Sequence, residues 1–96
     1  MDIKMREIEE NQYIGNGFSA YGGELEVLLT YQDDKIQNLQ VIKHHEYEMG
    51  QWALDELPGK IIAANSADVD GITGASATSR AIKEANTDAL QQAQQD

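Results

Sequence analysis

The sequence predicts an α+β domain: a small antiparallel sheet of about three or more strands, with its helices packed on one face. Two observations predict it. Strand-like segments fill the first half and helical periodicity the second, an order that argues for separate layers rather than alternating strand and helix. The chain has 96 residues, of which 41% are apolar, enough for one hydrophobic core but not for two, so both halves must share it.

Residues 1–11 are rich in charge, with Ile3, Met5 and Ile8 as spaced apolar positions, and read as a lead-in to a folded core over residues 12–94. Tyr13, Gly15, Gly17 and Phe18 suggest a first strand that runs on to Ala20-Tyr21-Gly22-Gly23; glycines in such a place mark a bulge or a close backbone approach. From Glu24 to Tyr31 the pattern alternates, with Leu25, Val27, Leu29 and Tyr31 on one face. Gln32-Asp33-Asp34-Lys35 supplies turn residues, and Ile36, Leu39, Val41 and Ile42 mark the returning strand, whose break in period between Ile36 and Leu39 predicts a bulge.

The second half is helical. Trp52, Ala53, Leu54 and Leu57 have helical spacing; Pro58 is expected to end that helix and open a second one, which Asn65-Ser66 stops. Ala81, Ile82, Ala85, Ala89, Leu90 and Ala93 form one stripe of a long final helix, with Lys83, Glu84, Asp88 and the glutamines on its outer, solvated face, and its alanines let it lie close to the sheet.

Charge and composition narrow the function. Seventeen acidic against seven basic residues give a net charge of −10, which repels nucleic acid and anionic membrane surfaces. The absence of cysteine removes thiolate chemistry and zinc–thiolate sites. No signal-peptide core or apolar run of membrane-spanning length is present in the sequence. His44-His45 with Glu46 offers ligand types that zinc takes, but adjacent strand residues point to opposite faces and no third ligand is spaced to join them, so a solvated strand end is expected. Neither histidine has a serine or aspartate at a spacing that suggests a hydrolytic dyad.

The densest chemistry lies at Asp68-Val69-Asp70-Gly71-Ile72-Thr73-Gly74-Ala75-Ser76-Ala77-Thr78-Ser79, where an irregular segment becomes the last helix. The first turn of a helix carries unpaired N–H groups and the positive end of the macrodipole, glycine permits close approach, and hydroxyls hydrogen-bond a phosphate or become esterified to it. Serine and threonine are also ordinary caps, so composition alone is equally well met by a plain turn.

Asp70-x-x-Thr73-Gly74-Ala75-Ser76-x-Thr78 resembles the flavinylation motif of the FMN-binding domain family, Asp-x-x-Ser/Thr-Gly-Ala-Ser/Thr-x-Thr. The similarity runs from about Gly17 to Ala89 and includes Tyr21-Gly22-Gly23, the Asp33-Asp34 turn and Pro58-Gly59-Lys60-Ile61-Ile62. It is weakest at Glu46-Tyr47-Glu48-Met49-Gly50, where the family's Thr-Pro is lost, and Ser76 stands where threonine is more frequent. The resemblance implies an electron carrier rather than an enzyme, with FMN joined to Thr78 through a phosphoester by a flavin transferase and electrons exchanged with redox partner proteins. In that reading Gly74, Ala75, Ser76 and Ser79 cradle the phosphate with Thr73 nearby, and Asp70 fixes the loop or is a plain turn residue; Trp52 and Tyr21 are the candidates for the ring, each equally well an ordinary core residue, with Glu46 a weaker one and Gly22 a further cofactor-binding residue. The resemblance also implies an extracytoplasmic or membrane-associated setting. Two rivals are a module that holds FMN or another phosphate ligand without a covalent bond, and a cofactor-free interaction domain.

Overall fold

The structure, a computed structural model, describes residues 9–20, 23–45 and 49–95. Three antiparallel strands, β1 (Gln12–Ser19), β2 (Gly23–Gln32) and β3 (Lys35–Lys43), form one sheet in the order β1-β2-β3, followed by two helices, α1 (Met49–Ala64) and α2 (Ser76–Gln95). This is the α+β arrangement the sequence predicts. Residues 1–8, Tyr21, Gly22, residues 46–48 and Asp96 lie outside the described set.

Alternation in β2 sends Leu25, Val27 and Leu29 to one face, where Leu39 of β3 joins them beneath Ala53, Leu57 and Ile61 of α1 and Ala81, Ile82, Ala85 and Ala89 of α2. Asp33 and Asp34 both have positive φ, 57° and 61°, the two-residue turn whose twist suits adjoining antiparallel strands. The expected bulge is present: Thr30 faces Asn38 but Tyr31 faces Ile36, which leaves Gln37 as the extra residue. A second shift, between Glu26 opposite Lys43 and Val27 opposite Val41, leaves Ile42 unmatched.

The break expected at Pro58 does not occur. α1 continues through it, although proline there lacks an N–H donor and costs about 3 kcal/mol. Ala53, Leu57 and Ile61 form one stripe of complete burial that spans the proline. Burying a leucine and an isoleucine is worth roughly 1.5–3 kcal/mol each, so tertiary packing outweighs the local penalty. The helix ends at Asn65, whose φ of 55° is left-handed. Asn65 N–H donates to Ile62 O and Ser66 N–H to Ile61 O, the paired bonds of a Schellman cap. The Asn65 side chain also accepts from Ile36 N–H at 2.7 Å and donates to Asp34 O at 3.1 Å, so the helix cap clasps the hairpin turn.

Contact between α2 and β1 is closest where both sequences are small. A Cβ built on Gly15 would lie 1.9 Å from Ala85 O, and one on Gly17 would lie 2.1 Å from Ala81 O. These glycines mark a close approach, one of the two meanings the sequence allows. The contact also sets direction: as β1 advances from residue 15 to 17, α2 runs backwards from 85 to 81, so the N-terminus of α2 lies at the C-terminal end of β1.

The outer edge of β1 is not bare. Phe18 N–H donates to Glu84 Oε1 at 2.8 Å, Asn16 N–H to Asp88 Oδ2 at 2.9 Å, and Gln92 Nε2 donates to Ile14 O at 2.8 Å. Four helical residues rise about 6 Å and two strand residues about 6.8 Å, so this ladder stays in step. Side chains that read as a solvated face in the sequence thus protect an edge that would otherwise invite pairing with another chain. On the inner side of α2, Asn86 is fully buried and neither amide atom has a hydrogen-bond partner within the protein.

Gly15→Ala is expected to destabilise the domain by about 2 kcal/mol or more in urea unfolding, because the new methyl meets backbone that cannot move aside. Gly59→Ala, with open space around its Cβ position inside α1, should stabilise by roughly 0.5–1 kcal/mol. Equal effects at the two positions would contradict the contact described.

Candidate functional site

The segment between the helices is shaped by its own side chains. Ser66 Oγ accepts from Asp68 N–H at 2.9 Å, a local turn that serine favours. Lys60 of α1 reaches across and donates its Nζ to Asp70 O at 3.0 Å. Asp70 therefore contributes its carbonyl; its carboxylate makes no hydrogen bond among the described residues. Ile72, Thr73, Gly74 and Ala75 then form a tight turn closed by Ala75 N–H donating to Ile72 O at 2.9 Å. Gly74 sits at its third position with φ of 86°, the value that a type II turn requires there and that glycine adopts freely.

Ser79 locks this turn to the helix. Its hydroxyl accepts from Ile72 N–H at 2.9 Å, and a Cβ on Gly71 would come within 3.1 Å of the Ser79 Cβ, so Gly71 lies directly on that side chain. Ser79 is only 3% exposed. The turn and the first helical turn are thereby one unit.

The helix that follows is left without an ordinary cap. Ser79 N–H donates to Ala75 O, which makes Ala75 the N-cap residue, and alanine has no side-chain oxygen to receive the first N–H groups. Those of Ser76 and Ala77 have no acceptor among the described residues. With the macrodipole behind them they form an anion-accepting end, and the cap energy forgone, about 1 kcal/mol, is available to a ligand.

The predicted residues divide between two faces of the loop. Thr73, Gly74 and Ser76 are exposed, whereas Ala75 is buried and its N–H is spent on the turn. Thr78 faces inward at 4% exposure, one helical turn before Ala81. Ser19, also buried, stands two residues beyond Gly17 on the same face of β1, so the small-residue contact leads to a pair of enclosed hydroxyl side chains. Trp52, in the first turn of α1, is 51% exposed and is not part of the core. Tyr21, Gly22 and Glu46 lie outside the described residues.

Sequence reasoning missed Arg80 and Lys83. With Gly71, Ile72, Thr73, Gly74, Ser76 and Ser79 they line an open groove of about 420 Å³ on the outer face of the loop. The available signal was two cations three residues apart, immediately after the motif. Phe18, 68% exposed at the end of β1, was also not singled out as a surface residue.

The donor set fits a phosphorylated cofactor: uncapped N–H groups, hydroxyls and nearby cations. The FMN-binding domain family matches residues 20–91. The chain belongs to the FMN-binding domain family. FMN is accordingly its cofactor, and the Asp70–Thr78 motif lies inside the matched region. The chain is also similar to an uncharacterized protein of Treponema pallidum (strain Nichols), 32% identical over 76 residues, which is 78% of this chain and 21% of the relative. It thus spans about a fifth of the length of that relative. Among the described residues no helix is long and apolar enough to cross a membrane.

Removing the hydroxyl in Ser79→Ala leaves Ile72 N–H without an acceptor and is expected to cost about 1–2 kcal/mol in chemical denaturation. A change within roughly 0.5 kcal/mol, the scatter of a neutral surface substitution, would show that the turn does not depend on it.

Proposed function

We propose that this domain carries electrons on FMN attached through its phosphate to Thr78, and that a flavin transferase installs it. The observation that supports this most is the position of Thr78. It is the third residue of a helix whose N-terminal N–H groups are uncapped, in a loop held rigid by Ser79, within the family's motif. Esterification joins the Thr78 oxygen to the flavin-side phosphorus of a flavin phosphoanhydride donor; the anhydride P–O bond breaks, and the displaced phosphate-bearing group leaves with the hydroxyl proton. When bound, FMN supplies the redox chemistry.

In this reading the chain's own residues bind and orient. The Ser76 and Ala77 N–H groups and the Ser76 hydroxyl receive phosphate oxygens, and Trp52 offers an apolar face with a polar handle to the ring. The scaffold holds these groups still. Donors and acceptors of electrons are partner proteins, in an extracytoplasmic or membrane-associated setting.

One observation favours a second reading. Thr78 is 4% exposed, so its hydroxyl is not presented to another enzyme's active site unless the loop end opens. Reversible binding through the exposed Thr73 and Ser76 requires no opening.

Intact mass of the denatured protein after co-expression with a flavin transferase separates the two readings. Attachment predicts a gain equal to FMN less one water, absent in Thr78→Ala. Colour that is lost on denaturation, with no gain in mass, would establish the reversible reading instead.

A further inference from the structure

Two steps in the chain join an asparagine or an aspartate to glycine, Asn16-Gly17 and Asp70-Gly71. At such a step the glycine nitrogen, with no side chain to crowd it, is able to attack the neighbouring side-chain carbonyl carbon and close a succinimide ring. The fold treats the two steps differently. Asn16 and Phe18 direct their N–H groups outward to Asp88 and Glu84, so alternation turns that of Gly17 inward to the ladder with β2, where Gly17 faces Leu25. Gly17 is also buried against Ala81 O. Its nitrogen is committed to the sheet.

Asp70-Gly71 meets no such restraint. Both residues are exposed and lie in the irregular segment between the helices. Among the described residues the Asp70 carboxylate makes no hydrogen bond and the Gly71 N–H has no acceptor. The group that is bound is the carbonyl between them, which accepts from Lys60 Nζ at 3.0 Å. A cation at that carbonyl draws electron density from the peptide group and favours the deprotonated nitrogen, which is the nucleophile.

We propose that Asp70-Gly71 is a modification site, where the backbone rearranges spontaneously through a succinimide to isoaspartate. The Gly71 nitrogen loses its proton and bonds to Asp70 Cγ, whose hydroxyl leaves with that proton as water. A water molecule then adds to the former main-chain carbonyl carbon and breaks its bond to the Gly71 nitrogen. The main chain now runs through the Asp70 side chain, one methylene longer, and the old carbonyl has become a free carboxylate. Nothing is oxidised or reduced. Lys60 directs the second step, because it polarises that carbon and ends paired with the carboxylate formed there. The added length falls between the two bonds that fix the loop, Lys60 to Asp70 and Ile72 to Ser79. The site does not depend on how FMN is held.

The test incubates the folded full chain in water enriched in heavy oxygen, then digests it and reads each peptide by mass and by fragmentation that distinguishes isoaspartate. Each passage through the ring adds one heavy oxygen. The expected result is heavy oxygen and isoaspartate at Asp70, accumulating several times faster than any change at Asn16. In urea the order should reverse, because an amide expels ammonia more readily than a carboxyl group expels water and the strand no longer protects Asn16. Asp70→Glu, which keeps the charge but needs a larger ring, should abolish the signal, and Lys60→Met should slow it several-fold; both substitutions fall at exposed positions. A signal at Asp70 no greater than at Asp68, which precedes valine, or a faster change at Asn16 than at Asp70 in the folded chain, would overturn the site. A Lys60→Met chain that reacts as fast as the parent would overturn the part given to Lys60.

Discussion

The contact of Gly15 and Gly17 with Ala81, Ala85 and Ala89 is the constraint from which the rest of the architecture follows. No side chain separates strand from helix there, so α2 sits against β1 with its backbone almost touching. That closeness brings Glu84, Asp88 and Gln92 within reach of the strand's outer edge, where they satisfy three backbone groups. It also fixes where α2 begins. Since the helix runs against the strand, its N-terminus and the loop before it are delivered to the end of the sheet where β1 finishes and β2 starts.

The loop gains its form from a second, smaller set of contacts. Lys60 holds Asp70 from one side, Ser79 holds Ile72 from the other, and Gly74 makes the bend between them. Placing alanine at the N-cap is a local sacrifice of helix stability, and such sacrifices are found where a ligand makes up the difference. The motif is therefore more than a row of hydroxyls. Thr78 faces the interior, Ser79 braces the turn, and Ser76 faces outward, so neighbouring residues of similar chemistry have separate work to do.

Much of this was legible in the sequence. Alternation in Glu24–Tyr31 and the alanine stripe of the last helix report burial directly, because strand and helix periods place those residues on one face. The bulge near Gln37 was visible as a break in that period. Pro58 misled because a local rule was applied where burial of Leu57 and Ile61 decides the outcome. Glu84, Asp88 and Gln92 read as a solvated face, since periodicity shows what avoids water but not which strand edge lies alongside. Arg80 and Lys83 were passed over for a similar reason: whether a cation is paired depends on where its potential partners point. Asn86 gives no sign of its burial in a chain where asparagine ordinarily faces solvent.

The central claim is that the glycine–alanine contact positions the Asp70–Thr78 loop proposed to hold the flavin. FMN bound per folded molecule, measured for Gly17→Ala beside Leu29→Ala, tests it most directly. Gly17 adjoins Ala81 near the loop, while Leu29 is a buried core residue opposite Tyr13, toward the other end of the sheet. Both substitutions lower stability, but only the first displaces the start of α2. The account predicts that Gly17→Ala lowers flavin content several-fold per folded molecule, an effect of about 1 kcal/mol or more, and that Leu29→Ala does not. Equal flavin content in the two folded variants would contradict it.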